Sequence, residues 1–471
     1  MKWYHVSSFA SFDTICAIAT PVGEGGVGII KISGPDARSI AARLFRSRSP
    51  DPVLHSHRLH YGWICHPVTD ECVDEVLVGY MAAPHSYTRE DVIEINCHSG
   101  FAVLQRILEL VLAAGARLAE PGEFTRRAFL NGRIDLTQAE AVIEIIRSQS
   151  DQSLALANRQ LRGSFRARIE TWIATLTELH AHLEAAIDFA DDLGDETILA
   201  ATVLADLLAA RLLQAVADML DQYESGRIVR EGLTLVLVGR PNVGKSSLLN
   251  ALLARDRAIV TALPGTTRDV IEDSFLLSGI MVRILDTAGI RNEPDTIEAL
   301  GIERTLQALD RADVVLWLLD QSEPLTAEDD AVFQKVADRR RVLLLNKADL
   351  PAAMPEDVVT ARYGAQALIV RLSVLNPQDI EILRNLLTAH FLQQPVETAR
   401  SGMIPNVRHH QALLQVHEAL RNAEQLLRRG AYPELVSVEF QTARHALASI
   451  VGQAADDSLL DQIFSQFCVG K

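Results

Sequence analysis

With 471 residues, the chain is long enough for about two to four domains. Its 45 Lys and Arg residues stand against 61 Asp and Glu residues, which gives a formal net charge of −16, and 48% of the residues are hydrophobic. This balance excludes a disordered chain and disfavours broad electrostatic wrapping of nucleic acid, although it leaves room for a local basic site.

Two further features of the composition predict a cytoplasmic protein. The five cysteines, Cys16, Cys65, Cys72, Cys97 and Cys468, form no CxxC pair and are too few for a disulfide scaffold, so we expect a reducing compartment. No apolar run approaches the roughly 18 residues of a membrane helix. Residues 1–12 lack the pattern of a secretory signal, and we interpret them as an N-terminal extension.

The first predicted domain, residues 13–133, mixes strands and helices. Short β-rich runs such as 27–32 and 92–95 alternate with helical patterns such as 101–114, separated by Gly and Pro. Residues 1–133 contain 13 Lys and Arg and 14 Asp and Glu, so this part is nearly neutral and the acidity lies further along the chain. The pattern predicts an α+β domain.

The predicted secondary structure of the rest of the chain changes twice. Residues 134–228 are almost purely helical in pattern, with few glycines and no proline between 136 and 226. Strands and helices then alternate over 229–391, beginning with the apolar run 233–238, and helical periodicity returns over 392–471. We predict a helical domain in two segments with an α/β domain, 229–391, inserted between them.

A phosphate-binding loop follows the predicted strand 233–238. Residues 239–246 match the pattern GxxxxGKS/T and lead into a helical run. Glycines let the loop turn its backbone N–H groups onto phosphate, Lys245 neutralises the β and γ phosphates, and Ser246 can hold Mg²⁺. The alternative is an ordinary glycine-rich turn, and two further motifs argue against it.

Two tetrapeptides each follow a predicted strand: Asp286-Thr287-Ala288-Gly289 and Asn346-Lys347-Ala348-Asp349. The first places a carboxylate at a strand end near the magnesium shell. In the second, Asp349 can accept hydrogen bonds from N1 and N2 of guanine, which adenine does not offer, so the motif selects GTP. Three motifs in order, each at the carboxyl end of a predicted parallel strand, indicate a GTPase domain.

The catalytic group of this GTPase is not the usual one. Thr267, in the switch-type segment GTTRD, is the best candidate to close over Mg²⁺. Ras-like GTPases carry a water-orienting glutamine where this chain has Ile290, so catalysis needs another orienting group and another positive charge. The carbonyl oxygen of Asn242 can hold a monovalent cation, and Glu298 can orient water; the alternative for Glu298 is an ordinary solvated helix charge.

Taken together, the motifs resemble the MnmE (TrmE) family of tRNA modification GTPases over nearly the whole chain. The segments that carry the resemblance are 13–15, 19–21, 25–29, 32–34, 121–124, 127–132, 239–252, 266–269, 286–289, 301–304 and the terminal Cys468-Val469-Gly470-Lys471. The resemblance implies a tetrahydrofolate-binding and dimerisation domain at 13–133, a helical domain at 134–228 and 392–471, and a Ras-like P-loop G domain with a mainly parallel sheet at 229–391.

The resemblance also implies a function beyond GTP hydrolysis. Family members form homodimers and work in a heterotetramer with an FAD-binding partner, MnmG (GidA). Together they place an aminomethyl or carboxymethylaminomethyl group on C5 of the wobble uridine of certain tRNAs. The one-carbon unit comes from a tetrahydrofolate derivative, 5,10-methylene- or 5-formyl-tetrahydrofolate, and GTP hydrolysis depends on Mg²⁺ and K⁺.

Carried over residue by residue, the resemblance implies five sets of site residues. GTP contacts fall on Asn242, Val243, Gly244, Lys245, Ser246, Ser247, Thr261, Ala262, Leu263, Pro264, Gly265, Thr266, Thr267, Asp286, Thr287, Ala288, Gly289, Asn346, Lys347, Ala348, Asp349, Ser373, Val374 and Leu375. Potassium ligands fall on Asn242, Thr261, Leu263 and Thr266, and magnesium ligands on Ser246 and Thr267. Folate contacts fall on Lys31, Glu94, Arg133 and Lys471. The catalytic residues are Glu298 and Cys468.

Two alternatives stay open at this point. Cys468 is either a participant in the modification chemistry or a small buried residue that only fills space. The whole chain is alternatively a molecular switch of the Era or Der kind, which acts in ribosome assembly and uses similar GTPase motifs. Such a switch lacks a counterpart of residues 13–132 and of the terminal CVGK.

Overall fold

The computed structural model describes residues 13–49, 53–188, 201–256, 272–286, 307–364, 367–401 and 403–471. The chain divides into two units, one formed by Met1–Ile143 with Ala448–Lys471 and the other by Glu144–Leu447. Within the described ranges, no helix is both long enough and apolar enough to cross a membrane. The described N-terminal residues, from Asp13 onward, and the C-terminal segment from Ala448 therefore belong to the same unit.

The helices and strands are numbered along the chain. The strands are β1 Ile15–Ile18, β2 Gly28–Ser33, β3 Phe45–Ser47, β4 Arg58–Cys65, β5 Cys72–Met81, β6 Val92–Cys97, β7 Arg117–Leu118, β8 Leu233–Val238, β9 Glu272–Leu277, β10 Ile280–Asp286, β11 Val314–Asp320, β12 Arg341–Asn346 and β13 Leu368–Arg371. The helices are α1 Ala37–Leu44, α2 Phe101–Ala113, α3 Glu123–Leu130, α4 Leu136–Arg147, α5 Asp151–Leu161, α6 Ser164–Asp188, α7 Ala201–Leu208, α8 Gln214–Asp221, α9 Tyr223–Glu231, α10 Lys245–Asp256, α11 Ala327–Val336, α12 Glu356–Tyr363, α13 Pro377–Leu387, α14 Gln393–Ser401, α15 Val407–Arg428, α16 Pro433–Ile450 and α17 Asp457–Phe464. Short π-helical turns stand at Ala209–Leu213 and Thr388–Leu392.

A mostly antiparallel sheet forms the centre of the first unit. Its strands lie in the order β3-β4-β5-β6-β2-β1-β7, and within this sheet the β1–β7 pair is parallel. Helix α2 buries one stripe, Leu104, Ile107, Leu110 and Val111, whose spacing follows the helical repeat and places these side chains in the core of the sheet. The predicted α+β character of this part is confirmed.

The C-terminal segment completes the first unit. On α17, Ile463 and Phe464 are buried in one cluster with Ala128 of α3 and Leu136 of α4. A Cβ at Gly122 would overlap the backbone of Phe464, so the chain before α3 approaches α17 as closely as a glycine allows. The terminal residues are thereby attached to the β1–α3 part of the unit.

A six-stranded sheet forms the α/β part of the second unit. Its order is β13-β12-β11-β8-β10-β9, in which β9 is antiparallel to β10 and the other pairs are parallel. Every residue of β11 and β12 is buried, as expected of parallel strands covered on both faces. The predicted mainly parallel sheet is confirmed.

The remaining helices of the second unit come from both sides of this sheet in the sequence. Helix α15 contacts α7, and Arg428 pairs with Asp206 at 2.9 Å. His180 on α6 lies within hydrogen-bond distance of Ser437 on α16, at 2.8 Å between Nε2 and Oγ. These contacts join residues more than 200 positions apart, which confirms the discontinuous helical domain.

One pair of cysteines departs from what a reducing compartment led us to expect. Cys65 and Cys72 form a disulfide. They end β4 and begin β5, and the antiparallel register places them opposite each other. The sequence spacing did not reveal this pairing because it depends on where the hairpin turns. Cys16 and Cys97 are free and buried, whereas Cys468 is free and exposed.

Candidate functional site

The phosphate-binding loop lies at the carboxyl end of β8 and leads into α10. Gly239 and Gly244 have φ values of +145° and +103°, a region that side chains with a Cβ rarely occupy. A Cβ on Gly239 would overlap the carbonyl oxygen of Leu318, and a Cβ on Gly244 would overlap the side-chain amide of Asn346. The two glycines therefore let the loop approach its neighbours and leave a concave backbone.

The side chains of the loop are arranged around this concave backbone. Val243 is buried in the core under the loop. The Nζ of Lys245 donates to the carbonyl oxygens of Gly239 and Arg240 at 2.8 and 2.7 Å, so the ammonium spans the loop. Ser246 is exposed in the first turn of α10, where the helix N-terminus favours anions. This donor set suits phosphate with a hydroxyl at hand for Mg²⁺.

The guanine motif lies beside the loop because β12 ends at the same edge of the sheet. Asn346 is fully buried, and its Nδ2 donates to the carbonyl oxygen of Val243 at 2.7 Å. Its Oδ1 accepts from the backbone N of Val374 at 3.1 Å. One asparagine thus joins the phosphate loop, the guanine motif and the 373–375 segment.

Two further contacts bring that segment to the guanine motif. The hydroxyl of Ser373 donates to Oδ1 of Asp349 at 2.6 Å, and the backbone N of Ala348 donates to Leu372 at 3.1 Å. Asp349 is exposed, so its carboxylate is accessible to a base. The side chain of Leu375 is 79% exposed and takes no part in these contacts.

Several of the predicted site residues lie outside the described residues: Thr261, Ala262, Leu263, Pro264, Gly265, Thr266, Thr267, Thr287, Ala288, Gly289 and Glu298. For Asp286 the backbone is described. It ends β10 and lies in register with Leu237 of β8, so it stands at the same edge as the phosphate loop. Among the predicted potassium ligands Asn242 is described, and it is exposed with φ +63°.

A buried carboxylate that the motifs did not predict lies behind the guanine motif. Asp320 ends β11 in register with Asn346, and its carboxylate lies 2.5 Å from the Nζ of Lys347. Burial alone would raise the pKa of Asp320, but hydrogen bonds from Lys347 and Ser322 outweigh it and hold the pKa below its ordinary value. The side-chain amide of Gln321 also donates to the carbonyl oxygen of Lys347, at 3.3 Å.

A second ion pair that the sequence did not reveal anchors the phosphate loop. The Nε of Arg240 lies 2.9 Å from Oδ1 of Asp329, which is fully buried on α11. The other oxygen of Asp329 accepts from the backbone N of Thr326 at 2.9 Å and caps the helix. One oxygen of Asp329 therefore pairs with Arg240 and the other caps α11, so the phosphate loop is attached to this helix.

Two of the four predicted folate residues lie over one tyrosine ring in the first unit, and a third pairs with one of them. Lys31 on β2 and Glu94 on β6 face each other in register, 3.7 Å apart. The ring of Tyr87 has the Nζ of Lys31 at 5.7 Å and the Cζ of Arg133 at 4.6 Å from its centroid. Tyr87 itself was not predicted, because it lies in a loop without a recognisable motif.

The C-terminal tail supplies the fourth residue. Burial lowers the pKa of Lys31, Glu94 opposes this effect, and the charge of Lys471 lowers it further, so the two ammonium groups lie close enough to interact. Gly470 has φ +91°, and a Cβ there would lie 2.8 Å from the carbonyl oxygen of Ile18. Cys468 is exposed rather than buried, so it is not the space-filling residue that was the alternative.

The donor set of this cluster suits a pterin. A carboxylate such as Glu94 pairs with amide and amino donors, and the cations Lys31, Arg133 and Lys471 suit carbonyls and carboxylates. The Lys31–Glu94 pair is only partly exposed, with side-chain exposures of 19% and 32%, so hydrogen bonds made there are partly shielded from water.

Comparisons with known proteins agree with this arrangement. A family model described as the GTP-binding protein TrmE N-terminus matches residues 14–133, and one described as the MnmE helical domain matches residues 136–468. The protein "tRNA modification GTPase MnmE" of Syntrophobacter fumaroxidans is 57% identical over 462 residues, which cover 98% of each chain. This chain belongs to the MnmE family.

Other MnmE relatives are similar over the same length. The protein of that name from Geobacter sulfurreducens is 45% identical, covering 98% of this chain and 99% of its own. Among solved structures, the G domain of the Thermotoga maritima FeoB iron transporter is 23% identical, covers 36% of this chain and 98% of its own, and has a TM-score of 0.25. Aquifex aeolicus Era bound to GDP and AlF₄⁻ is 27% identical, covers 40% of this chain and 66% of its own, and has a TM-score of 0.26.

Proposed function

We propose that this chain is a potassium-activated GTPase that modifies C5 of the wobble uridine in certain tRNAs together with an FAD-dependent partner of the MnmG (GidA) kind. The product carries an aminomethyl or carboxymethylaminomethyl group. The observation that carries the proposal is membership of the MnmE family along the whole chain, combined with two separate clusters of suitable residues.

Hydrolysis of GTP follows from the family and from the phosphate loop. In our proposal, Lys245 and the backbone of the loop hold the phosphates, while Asp349 and the 373–375 segment hold guanine. Ser246 and Thr267 bind Mg²⁺, which neutralises charge that develops on the phosphates. Asn242, with Thr261, Leu263 and Thr266, binds K⁺, and Glu298 orients the attacking water in place of the glutamine that Ile290 replaces.

The first unit is proposed to bind a tetrahydrofolate derivative. Glu94 accepts from the pterin donors, and Lys31, Arg133 and Lys471 meet carbonyls or carboxylates. The bound folate supplies the one-carbon unit. Cys468 is exposed on the tail that carries Lys471, which supports a role near this site.

The proposal includes an assembly and a location. We assign residues 13–133 to the folate domain, which also dimerises, 134–228 and 392–471 to the helical domain, and 229–391 to the G domain. The chain is proposed to act in the cytoplasm as a homodimer within a heterotetramer with its partner. The near-neutral residues 1–133 and a basic partner surface would take most of the RNA contact, because the rest of the chain is acidic.

Mass spectrometry of tRNA tests the proposal. A strain that lacks the gene is expected to lose the group at C5 of the wobble uridine, and the wild-type gene should restore it while a Lys245→Ala gene should not. Unchanged modification in the deletion strain would overturn the proposal. A switch of the Era or Der kind would leave the tRNA intact and has no use for residues 14–133.

A further inference from the structure

A wide-open surface cavity of about 500 Å³ lies beside the proposed folate site in the first unit. Its lining residues are Met81, Pro84, His85, Ser86, Tyr87, Arg89 and Arg133. Its volume falls within the range of about 300–1,000 Å³ that is typical of small-molecule sites. Of its lining residues, the proposed function so far uses Arg133 alone.

The permanently charged side chains that line the cavity, Arg89 and Arg133, are both positive. Arg89, Arg133 and His85 line it, and none of its lining residues within the described chain carries a carboxylate. The nearest acidic residues in sequence already have partners: Glu90 pairs with Arg127 at 3.2 Å, and Asp91 accepts from the backbone N of Ala83 at 2.9 Å. An anion entering the cavity therefore meets cationic groups without competing carboxylates in its wall.

Arg89 is held by a backbone carbonyl and Arg133 by an aromatic ring. Arg89 has φ +59°, and its Nη1 donates to the carbonyl oxygen of Asn131 at 2.9 Å, next to the turn that carries Arg133. A guanidinium has five N–H donors, so this bond leaves most of them for a ligand. Arg133 lies over the ring of Tyr87, with 4.6 Å between Cζ and the ring centroid.

Tyr87 connects the cavity with the folate cluster. The same ring that lines the cavity has the Nζ of Lys31 at 5.7 Å from its centroid, and Lys31 faces Glu94. A ligand whose hydrogen-bonding head meets Glu94 and Lys31 can thus continue past Tyr87 towards Arg133 and Arg89. Such a ligand has a flat polar head and an anionic end.

We propose that this cavity binds the γ-linked glutamate tail of the folate, so that a polyglutamylated tetrahydrofolate is the preferred ligand. The inference rests on the proposed folate site. Each glutamate beyond the first adds a carboxylate, and arginine binds carboxylates through two parallel hydrogen bonds. Arg133 meets the first part of the tail, and Arg89 meets the glutamates beyond it.

An RNA backbone is the competing anion. RNA phosphates are bound along extended basic surfaces, whereas here the cations line one cavity with an aromatic wall. The cavity therefore favours a short, multiply charged tail.

Calorimetry on the full chain tests the inference. We compare 5-formyl-tetrahydrofolate carrying one glutamate with the same compound carrying three, and we expect the triglutamate to bind about tenfold more tightly. This advantage should shrink as KCl is raised, because exposed charges are screened by salt. Equal affinities at low salt would overturn the inference while leaving the proposed function intact, and failure of both compounds to bind would overturn both.

Two variants test whether Arg89 is responsible for the triglutamate advantage. Arg89→Asn removes the charge and tolerates the positive φ better than alanine, and it should abolish most of the triglutamate advantage. Arg106→Ala, at an exposed residue of α2 that pairs with Glu109 at 3.4 Å, should retain it. An unchanged triglutamate advantage in Arg89→Asn would overturn the inference. A loss of tRNA binding in Arg89→Asn, with no preference of the wild-type chain for the triglutamate, would overturn it as well. If Arg89→Asn unfolds, the triglutamate advantage is measured in Arg89→Lys instead, together with the salt dependence of that advantage in the wild-type chain.

Discussion

Asp320 and Lys347 form an ion pair, with 2.5 Å between the carboxylate and Nζ, directly behind the guanine motif. The side chain of Asp320 is 3% exposed, and Lys347 has φ +62°, a backbone conformation that needs support from its surroundings. We interpret Asp320 as a positioning residue that holds Lys347 and, through it, the loop that carries Asp349.

Asp320→Asn is therefore expected to weaken GDP binding by about tenfold, because Lys347 loses its charged partner. The turnover number at saturating GTP should stay near the wild-type value, since Asp320 supports the guanine motif and is not among the groups proposed for catalysis. Fluorescent-GDP titration and steady-state kinetics measure the two effects. Asp338→Asn, the same change at an exposed position, is the control; a fall in turnover without a change in affinity would contradict the positioning role.

Gly244→Ala is expected to abolish most nucleotide binding. The new Cβ would overlap the amide of Asn346 and break its bond to Val243, so we expect affinity for GDP to fall on the order of tenfold or more. Gly430→Ala is a matched control, because Gly430 also has a positive φ, +64°, but no atom lies within 4 Å of its Cβ position. The control should cost about 1–2 kcal/mol of stability and leave affinity unchanged.

The sequence predicted the parts of the nucleotide site that lie in continuous motifs. The glycine loop after an apolar strand, Asn346, Asp349 and Ser373 were all identified, and the structure brings these described residues together. The partners of Lys347 and Arg240 were not predicted, because each ion pair depends on how strands and helices are arranged in space. The Cys65–Cys72 disulfide was missed for a related reason: it depends on strand register.

The potassium site predicts a salt-specific rate. GTP hydrolysis should be faster in KCl than in NaCl at equal ionic strength, and Asn242→Gly should remove the difference. Glycine suits the φ of +63° at this position, so the variant deletes the carbonyl ligand without straining the loop. GDP affinity, measured in both salts, shows whether the loop is intact. Equal rates of the wild-type chain in both salts would contradict the role of Asn242.

Glu298→Ala is expected to slow hydrolysis while leaving GTP affinity nearly unchanged, because a water-orienting group acts mainly in the transition state. Single-turnover kinetics and fluorescent-nucleotide titration measure the two quantities. Glu356→Ala is a control on the same unit, because this glutamate lies at an exposed position of α12, outside the proposed nucleotide site. If Glu298→Ala hydrolyses GTP at the wild-type rate, another group orients the water.

A carboxylate network in the first unit predicts a pH dependence of local stability. The side chain of Glu123 is 10% exposed, and its oxygens accept from Arg117 at 2.6 and 2.8 Å and from Arg127 at 3.0 Å. Burial alone would raise the pKa of Glu123, but the arginines and the backbone N of Glu120 outweigh it, so the pKa lies below its ordinary value.

A carboxyl group with a lowered pKa stabilises the fold above its unfolded pKa of about 4.3, and this contribution is lost as the pH falls further. Glu123→Gln should therefore destabilise α3 by about 1.5–3 kcal/mol at neutral pH, the usual range for hydrogen bonds to charged groups. Hydrogen exchange of the α3 amides, corrected for intrinsic rates, should be faster in the variant at neutral pH and converge with the wild type in acid. Glu109→Gln, at a 50% exposed side chain, should show no such difference. A gap between Glu123→Gln and the wild type that stays constant from neutral pH into acid would mean that packing, and not the charge of Glu123, stabilises α3.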